Sequence, residues 1–225
     1  MPLNISNLGK ILKTLNRVST PVEFNAALPV KIEVIKQINP ITYLIKLGNR
    51  ETETKSYLPL ETGKKYMAQI KELKHSIRIT NLKPFPKMLE ILQQTNLPEG
   101  FREFKKEDVL KNMANAENKN DFLFFANILL AMDKKIYHFA INQEKKALMQ
   151  FKHLKNKVSF YAVFTNLGEI EGEITEFSLI LYSPYENVLN LIKLYENEID
   201  LNVKTVLKEP KSLYVFSDKL LDLKA

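Results

Sequence analysis

Three carboxylates stand at alternate positions, Glu169, Glu171 and Glu173. On a strand, that alternation puts all three on one face. Neighbouring carboxylates there can bind a cation or share a proton. No histidine or aspartate stands beside them in sequence to complete a catalytic or metal site. The spacing therefore reads as a solvent-facing strand or a salt-bridging partner surface. The histidines, His75, His138 and His153, never fall at i, i+4 on one helix, so no HExxH-type zinc site is present, and each reads as a surface or sheet residue. Gly63-Lys64-Lys65 has the outline of a phosphate loop. Leu58 stands where that loop needs its earlier glycine, and neither Lys65 nor Tyr66, which follow Lys64, is the Ser or Thr it needs for magnesium. Nucleophile-elbow, dinucleotide-binding and kinase motifs are missing. With no cysteine there is no disulfide, thiolate metal site or cysteine nucleophile. The expectation is a protein that is not an enzyme, with no catalytic residue, metal or cofactor.

The elements around these residues follow from hydrophobic period. Leu8, Ile11, Leu12 and Leu15 form one helical stripe, with Ser6 as N-cap and Thr20-Pro21 as the stop. Such a short helix is marginal alone, so it should dock on its own chain. From Leu28 the period becomes two. Strands are expected at Val30–Val34, Tyr43–Leu47, Glu51–Leu58, Lys65–Leu73 and Ile77–Leu82, separated by turn residues at Asn39-Pro40, Gly48-Asn49 and Leu60–Gly63. Five short strands at that spacing suggest a small all-β barrel of the oligonucleotide/oligosaccharide-binding (OB) type.

Pro84 and Pro86 end the β pattern. Helices are expected from Pro86, with Met88, Leu89, Ile91 and Leu92 as the apolar side, and from Glu107-Asp108. Asp121–Met132 is apolar almost all round, as in buried helices. Alternation returns at Ile136–Ile141, Ala147–Leu154, Val158–Phe164, Glu169–Ile174 and Phe177–Tyr182. Ser183-Pro184-Tyr185-Glu186 has the form of a capping box before a helix carrying Val188, Leu189, Ile192 and Tyr195. Leu201–Leu207 and Ser212–Phe216 are expected as the last strands. The fold class is α+β. It is laid out as an N-terminal amphipathic helix and linker (1–27), a small five-stranded OB-like barrel (28–84), a helical connector (85–133) and a β-rich C-terminal domain with one main helix (134–225).

The chain has 225 residues, 45 % hydrophobic and 26 % charged, which is ordinary globular composition and excludes a disordered tail, a collagen or a rod. No apolar run approaches the ~18–20 residues of a membrane span, and Met1–Leu15 lacks the apolar core of a signal peptide. The net charge of +7 is unevenly spread. Residues 1–88 carry +9, residues 89–160 +3 and residues 161–225 −5. A basic front and an acidic back can steer different partners to opposite ends.

The ordered pattern at the C-terminal end resembles the C-terminal domain of flagellar hook-length control proteins. That family carries a Leu-Gly-x-Val/Ile-x-Val-like turn-and-strand element followed by a strand, a helix and a strand. Leu167-Gly168-Glu169-Ile170-Glu171 matches the element, and Val188–Ile199 matches the helix. Further forward, Pro59-Leu60-Glu61-Thr62-Gly63 matches the Pro-Leu-x-x-Gly turn of a small barrel found in some members. Asn166 replaces the proline that often precedes Leu-Gly, and the long Gln/Ser/Pro-rich N-terminal half assigned to length measurement is missing. The resemblance thus implies a short, divergent member that keeps the switch-like module. It implies a non-enzymatic, cytoplasmic protein of the flagellar type III export system, or one exported through that apparatus. The implied partner is the cytoplasmic domain of the export-gate switch protein, with Leu167, Gly168, Glu169, Glu171 and Glu173 as contact residues. Charge reversal at the three glutamates should weaken that contact. The alternative is an OB-like nucleic-acid-binding protein that uses the basic front, with Tyr43, Tyr57 and Tyr66 stacking on bases beside Lys64 and Lys65.

Overall fold

The computed structural model describes residues 5–18, 28–73 and 76–217. The fold is α+β, with five α-helices and two sheets among those residues. His75 and the expected helix stop at Thr20-Pro21 lie outside them.

The first sheet holds β1 (Val30–Asn39), β2 (Thr42–Leu47), β3 (Arg50–Lys55), β4 (Lys65–Leu73) and β5 (Ser76–Pro84). β1 pairs antiparallel with both β2 and β4, and β4 with β5. β3 meets β5 at one parallel pair, Lys55 with Arg78, so the order β1-β2-β3-β5-β4 runs round to its start through a thin seam. Ile32, Val34, Tyr43, Ile45, Leu60 and Ala68 fill its own small core. The strands follow the expected ones because they alternate, except that β3 stops at Lys55, three residues short of the expected Leu58.

The second sheet has seven strands in the order β12-β11-β10-β9-β8-β7-β6. These are β6 (Gly100–Glu103), β7 (Tyr137–Asn142), β8 (Ala147–His153), β9 (Val158–Phe164), β10 (Gly168–Ile174), β11 (Ser178–Ser183) and β12 (Asn202–Leu207). Strands β6 to β11 form an antiparallel run, while β12 returns parallel to β11 after α5 (Glu186–Leu194) and a 3-10 turn at Glu196–Glu198. A parallel return needs such a crossover.

Helix α1 (Ile5–Val18) docks on its own chain as expected. Leu8, Ile11, Leu12 and Leu15 are at most 4 % exposed and join the core of the large sheet rather than that of the small one. Helix α2 (Lys87–Gln94) adds Met88, Leu89, Ile91 and Leu92 to the same core. Helices α3 (Lys106–Ala114) and α4 (Lys119–Asp133) pack on each other, and α4 buries Leu123, Phe124, Phe125 and Ile128. The segment 85–133, expected as a helical connector, therefore belongs to the large core, and it also contributes β6.

Four local expectations are corrected. Ser6 lies inside α1, which begins at Ile5, so it is not the N-cap. Strand β6 was missing from the sequence reading, because four residues with a single apolar side chain carry no period and form a strand only through pairing with β7. Ser183 ends β11, and Tyr185 occupies the N-cap of α5. The Ser183 Oγ accepts from the Tyr185 N–H at 3.3 Å instead of capping the first turn. Ser212–Phe216 forms no strand; it is a strap that bends at Leu213 and Tyr214 and is bonded to side chains.

Candidate functional site

The Leu-Gly element lies inside the molecule. Leu167 is fully buried. Gly168 opens β10 with φ +72°, a left-handed conformation that suits glycine, and a Cβ there would come within 3.0 Å of the Tyr185 ring. The Tyr185 hydroxyl donates to the Met67 carbonyl at 3.5 Å, and the Met67 methyl reaches Gly168. The turn is thus the joint where the small sheet meets the large one. Burial pushes the Tyr185 hydroxyl pKa upward, with Glu169 and Glu209 adding to the shift.

The three glutamates do share one face of β10, as alternation requires, but each has an internal partner. Glu169 accepts from the Tyr161 hydroxyl, and its carboxyl is held above the usual range by burial, against the lowering effect of that bond. Glu171 accepts from the Lys211 backbone N–H at 2.9 Å. Glu173 pairs with Lys157 at 2.7 Å. Expectation of a bare, solvent-facing carboxylate row is therefore corrected. Charge reversal at these positions would break intramolecular bonds before it changed any outside contact.

The five residues of the nucleic-acid alternative differ in exposure and in internal bonding. Tyr43 is 1 % exposed in the small core, with its hydroxyl accepting from the Leu60 N–H and bonded to Gln37. Tyr66 is half-buried and accepts from the Glu61 N–H at 3.0 Å. Lys65 pairs with Glu90 at 2.8 Å. Lys64 is exposed, and Tyr57 is 90 % exposed. Tyr43 therefore cannot stack on a base in this fold, which corrects that assignment.

The fold builds a different polar arrangement that linear spacing concealed. His138, Gln150, Tyr161, Glu171 and Tyr182 lie directly opposite one another in successive ladders from β7 to β11. They form a single row across one face of the large sheet. The strap from Lys208 to Ser217 follows this row. Lys208 donates to the Ser183 carbonyl at 3.0 Å and places its ammonium over the Tyr182 ring. Lys211 meets Glu171. The Gln150 amide accepts from the Tyr214 N–H at 3.0 Å and donates to its carbonyl at 2.8 Å. Phe216 lies over His138 with ring centroids 5.6 Å apart. At the far end, Asn127 of α4 accepts from the Ser217 N–H and donates to its carbonyl, at 2.8 and 2.9 Å. The mid-strand polar residues were the sequence signal for this row, but only ladder register shows that they align.

His138 is fully buried, neither ring nitrogen has a hydrogen-bond partner, and burial lowers its pKa to about 3. Among the described residues no cluster of three or more His, Asp or Glu side chains is placed to hold a metal ion, and no helix is long and apolar enough to cross a membrane. No family model, no curated protein and no solved structure matches the chain.

Proposed function

We propose that this chain is a non-enzymatic protein-interaction module whose contact surface is the turn end of the small sheet. The observation that carries this reading is an apolar cluster there. Ile38, Ile41, Tyr57 and Leu58 are 44 %, 40 %, 90 % and 61 % exposed. The β1–β2 turn and the segment after β3 bring them to one end, where the Ser56 N–H donates to the Ile41 carbonyl at 2.9 Å. Clustered exposed apolar side chains on a soluble surface favour protein contact.

The small sheet is read as an OB-like barrel on its strand number and circular order. Barrels of that type bind oligonucleotides on the face of their second and third strands. Here Tyr43 and Ile45 point inward, so the outer side of β2 carries Leu44 and Lys46, facing Glu53 and Glu51 of β3. The glutamates offset the lysines of that face, which favours a protein partner over a polyanion. The setting is flagellar type III export in the cytoplasm, as the Leu167-Gly168 element and the Pro59–Gly63 turn imply, and the partner is the cytoplasmic domain of the export-gate switch protein.

Affinity capture from lysate with the full chain, with and without nuclease, tests this reading alongside a Tyr57→Ala/Leu58→Asp variant. Capture of export components that survives nuclease and falls at least about tenfold in the variant is expected, since exposed aromatic anchors dominate such contacts. Nuclease-sensitive capture, or capture unaffected by the variant, would reject it.

A further inference from the structure

We propose that the cross-sheet row of His138, Gln150, Tyr161 and Glu171 is a binding site for a peptide segment of a partner protein, and that residues 211–217 of this chain close it in cis. The proposal does not depend on the turn end of the small sheet.

The row holds backbone. Gln150 and Asn127 each bond both the N–H and the C=O of one strap residue, Tyr214 and Ser217. A side-chain amide used in this way reads the main chain and is indifferent to the side chain it carries. Specificity falls to the alternate positions. Phe216 enters between His138 and Phe124, at 5.6 and 6.2 Å between centroids, and Tyr214 lies beside Lys134, whose ammonium is 5.3 Å from its ring. Val215 between them is 74 % exposed. The fitting ligand is therefore a segment with aromatic residues two apart and a bend at the first of them.

Side chains rather than a ladder hold the strap. Phe216 is 2 % exposed in the main core, while Val215 faces water. Phe216 packs on an imidazole that has no partner at either nitrogen.

Fluorescence anisotropy of a labelled peptide spanning residues 211–217, titrated with full-length protein, provides the test. A Phe216→Ala chain has a weakened strap, and it should bind the peptide about tenfold more tightly than the natural chain, whose own strap competes. Adding Gln150→Leu to that variant should abolish binding. Absence of binding by a Phe216→Ala chain with unchanged circular dichroism would overturn the proposal. Hydrogen exchange on the unaltered protein gives a second reading. The Tyr214 and Ser217 amides should exchange about a hundredfold faster than those of central β9, through local opening. Equal rates would mean that the strap opens only with the whole fold, and would equally overturn it.

Discussion

Gln150 and Tyr214 are joined as neighbouring strands are, although one partner is a side chain. The Gln150 amide accepts the Tyr214 N–H and donates to its C=O, at 3.0 and 2.8 Å, with Gln150 itself fully buried. The glutamine continues the ladder sideways where no strand is available.

Gln150→Leu should therefore cost about 2 kcal/mol, because it strips both partners from one half-buried backbone residue. Urea unfolding of the natural and variant chains measures this, and a loss under about 0.5 kcal/mol would contradict the role of the clamp.

Gly172 of β10 lies under the ring of Phe160, its ladder partner on β9. A Cβ at Gly172 would fall 2.3 Å from that ring, on a flat and tightly held side chain. Gly172→Ala should lose about 3 kcal/mol through overpacking, visible as a lower urea midpoint. The double variant Gly172→Ala/Phe160→Leu should recover part of that loss.

His138 makes stability pH-dependent with a definite sign. Its folded pKa of about 3 lies below the ordinary 6.5, so the unfolded chain takes up the proton first. Stability is complete above about pH 6.5 and falls as pH drops toward 3, by up to about 1.4 kcal/mol per unit. Between pH 7 and pH 5 the natural chain should lose more stability than His138→Leu does. Parallel curves for the two proteins would refute the assignment.

Glu169 acts with the opposite sign. Its folded pKa is raised by burial, so the charged form is disfavoured at neutral pH. Glu169→Gln keeps an acceptor for the Tyr161 hydroxyl and should raise stability at pH 7. The gain should vanish as pH falls below the ordinary value of 4.5. Denaturation at pH 7 and pH 4 separates the two cases.

Two tyrosines of the small sheet should respond differently. Tyr43→Phe removes a buried hydroxyl that accepts from the Leu60 N–H, at a cost of about 1 kcal/mol. Tyr57 is 90 % exposed, and Tyr57→Ala should change stability by less than about 0.5 kcal/mol. Thermal unfolding of both variants checks this.

Much of this architecture was legible one strand at a time. Val30, Ile32 and Val34, or Tyr43 and Ile45, alternate because one side of each strand is buried. The stripe on α1 and the all-round apolar α4 follow from a period of 3.6. β6 was not legible, because its reason for existing is β7. The strand expected at Ser212–Phe216 has an alternating pattern, yet amide side chains hold it in place of a ladder. Among the site residues, the common face of Glu169, Glu171 and Glu173 was readable from spacing alone. Their partners Tyr161, Lys211 and Lys157 were not.

The sequence by itself determined the α+β class, most of the strand positions and the lack of a cysteine or a nucleotide-binding loop, because these depend on local period and residue type. Tertiary structure decided which residues meet. It buried Leu167 and Gly168 against Tyr185 and Met67, turned Tyr43 inward and left Tyr57 in water. It aligned His138, Gln150, Tyr161 and Glu171 across four strands. Ladder register and the path of the strap set those neighbours, and both arise from pairings between residues distant in the chain, which no local period encodes.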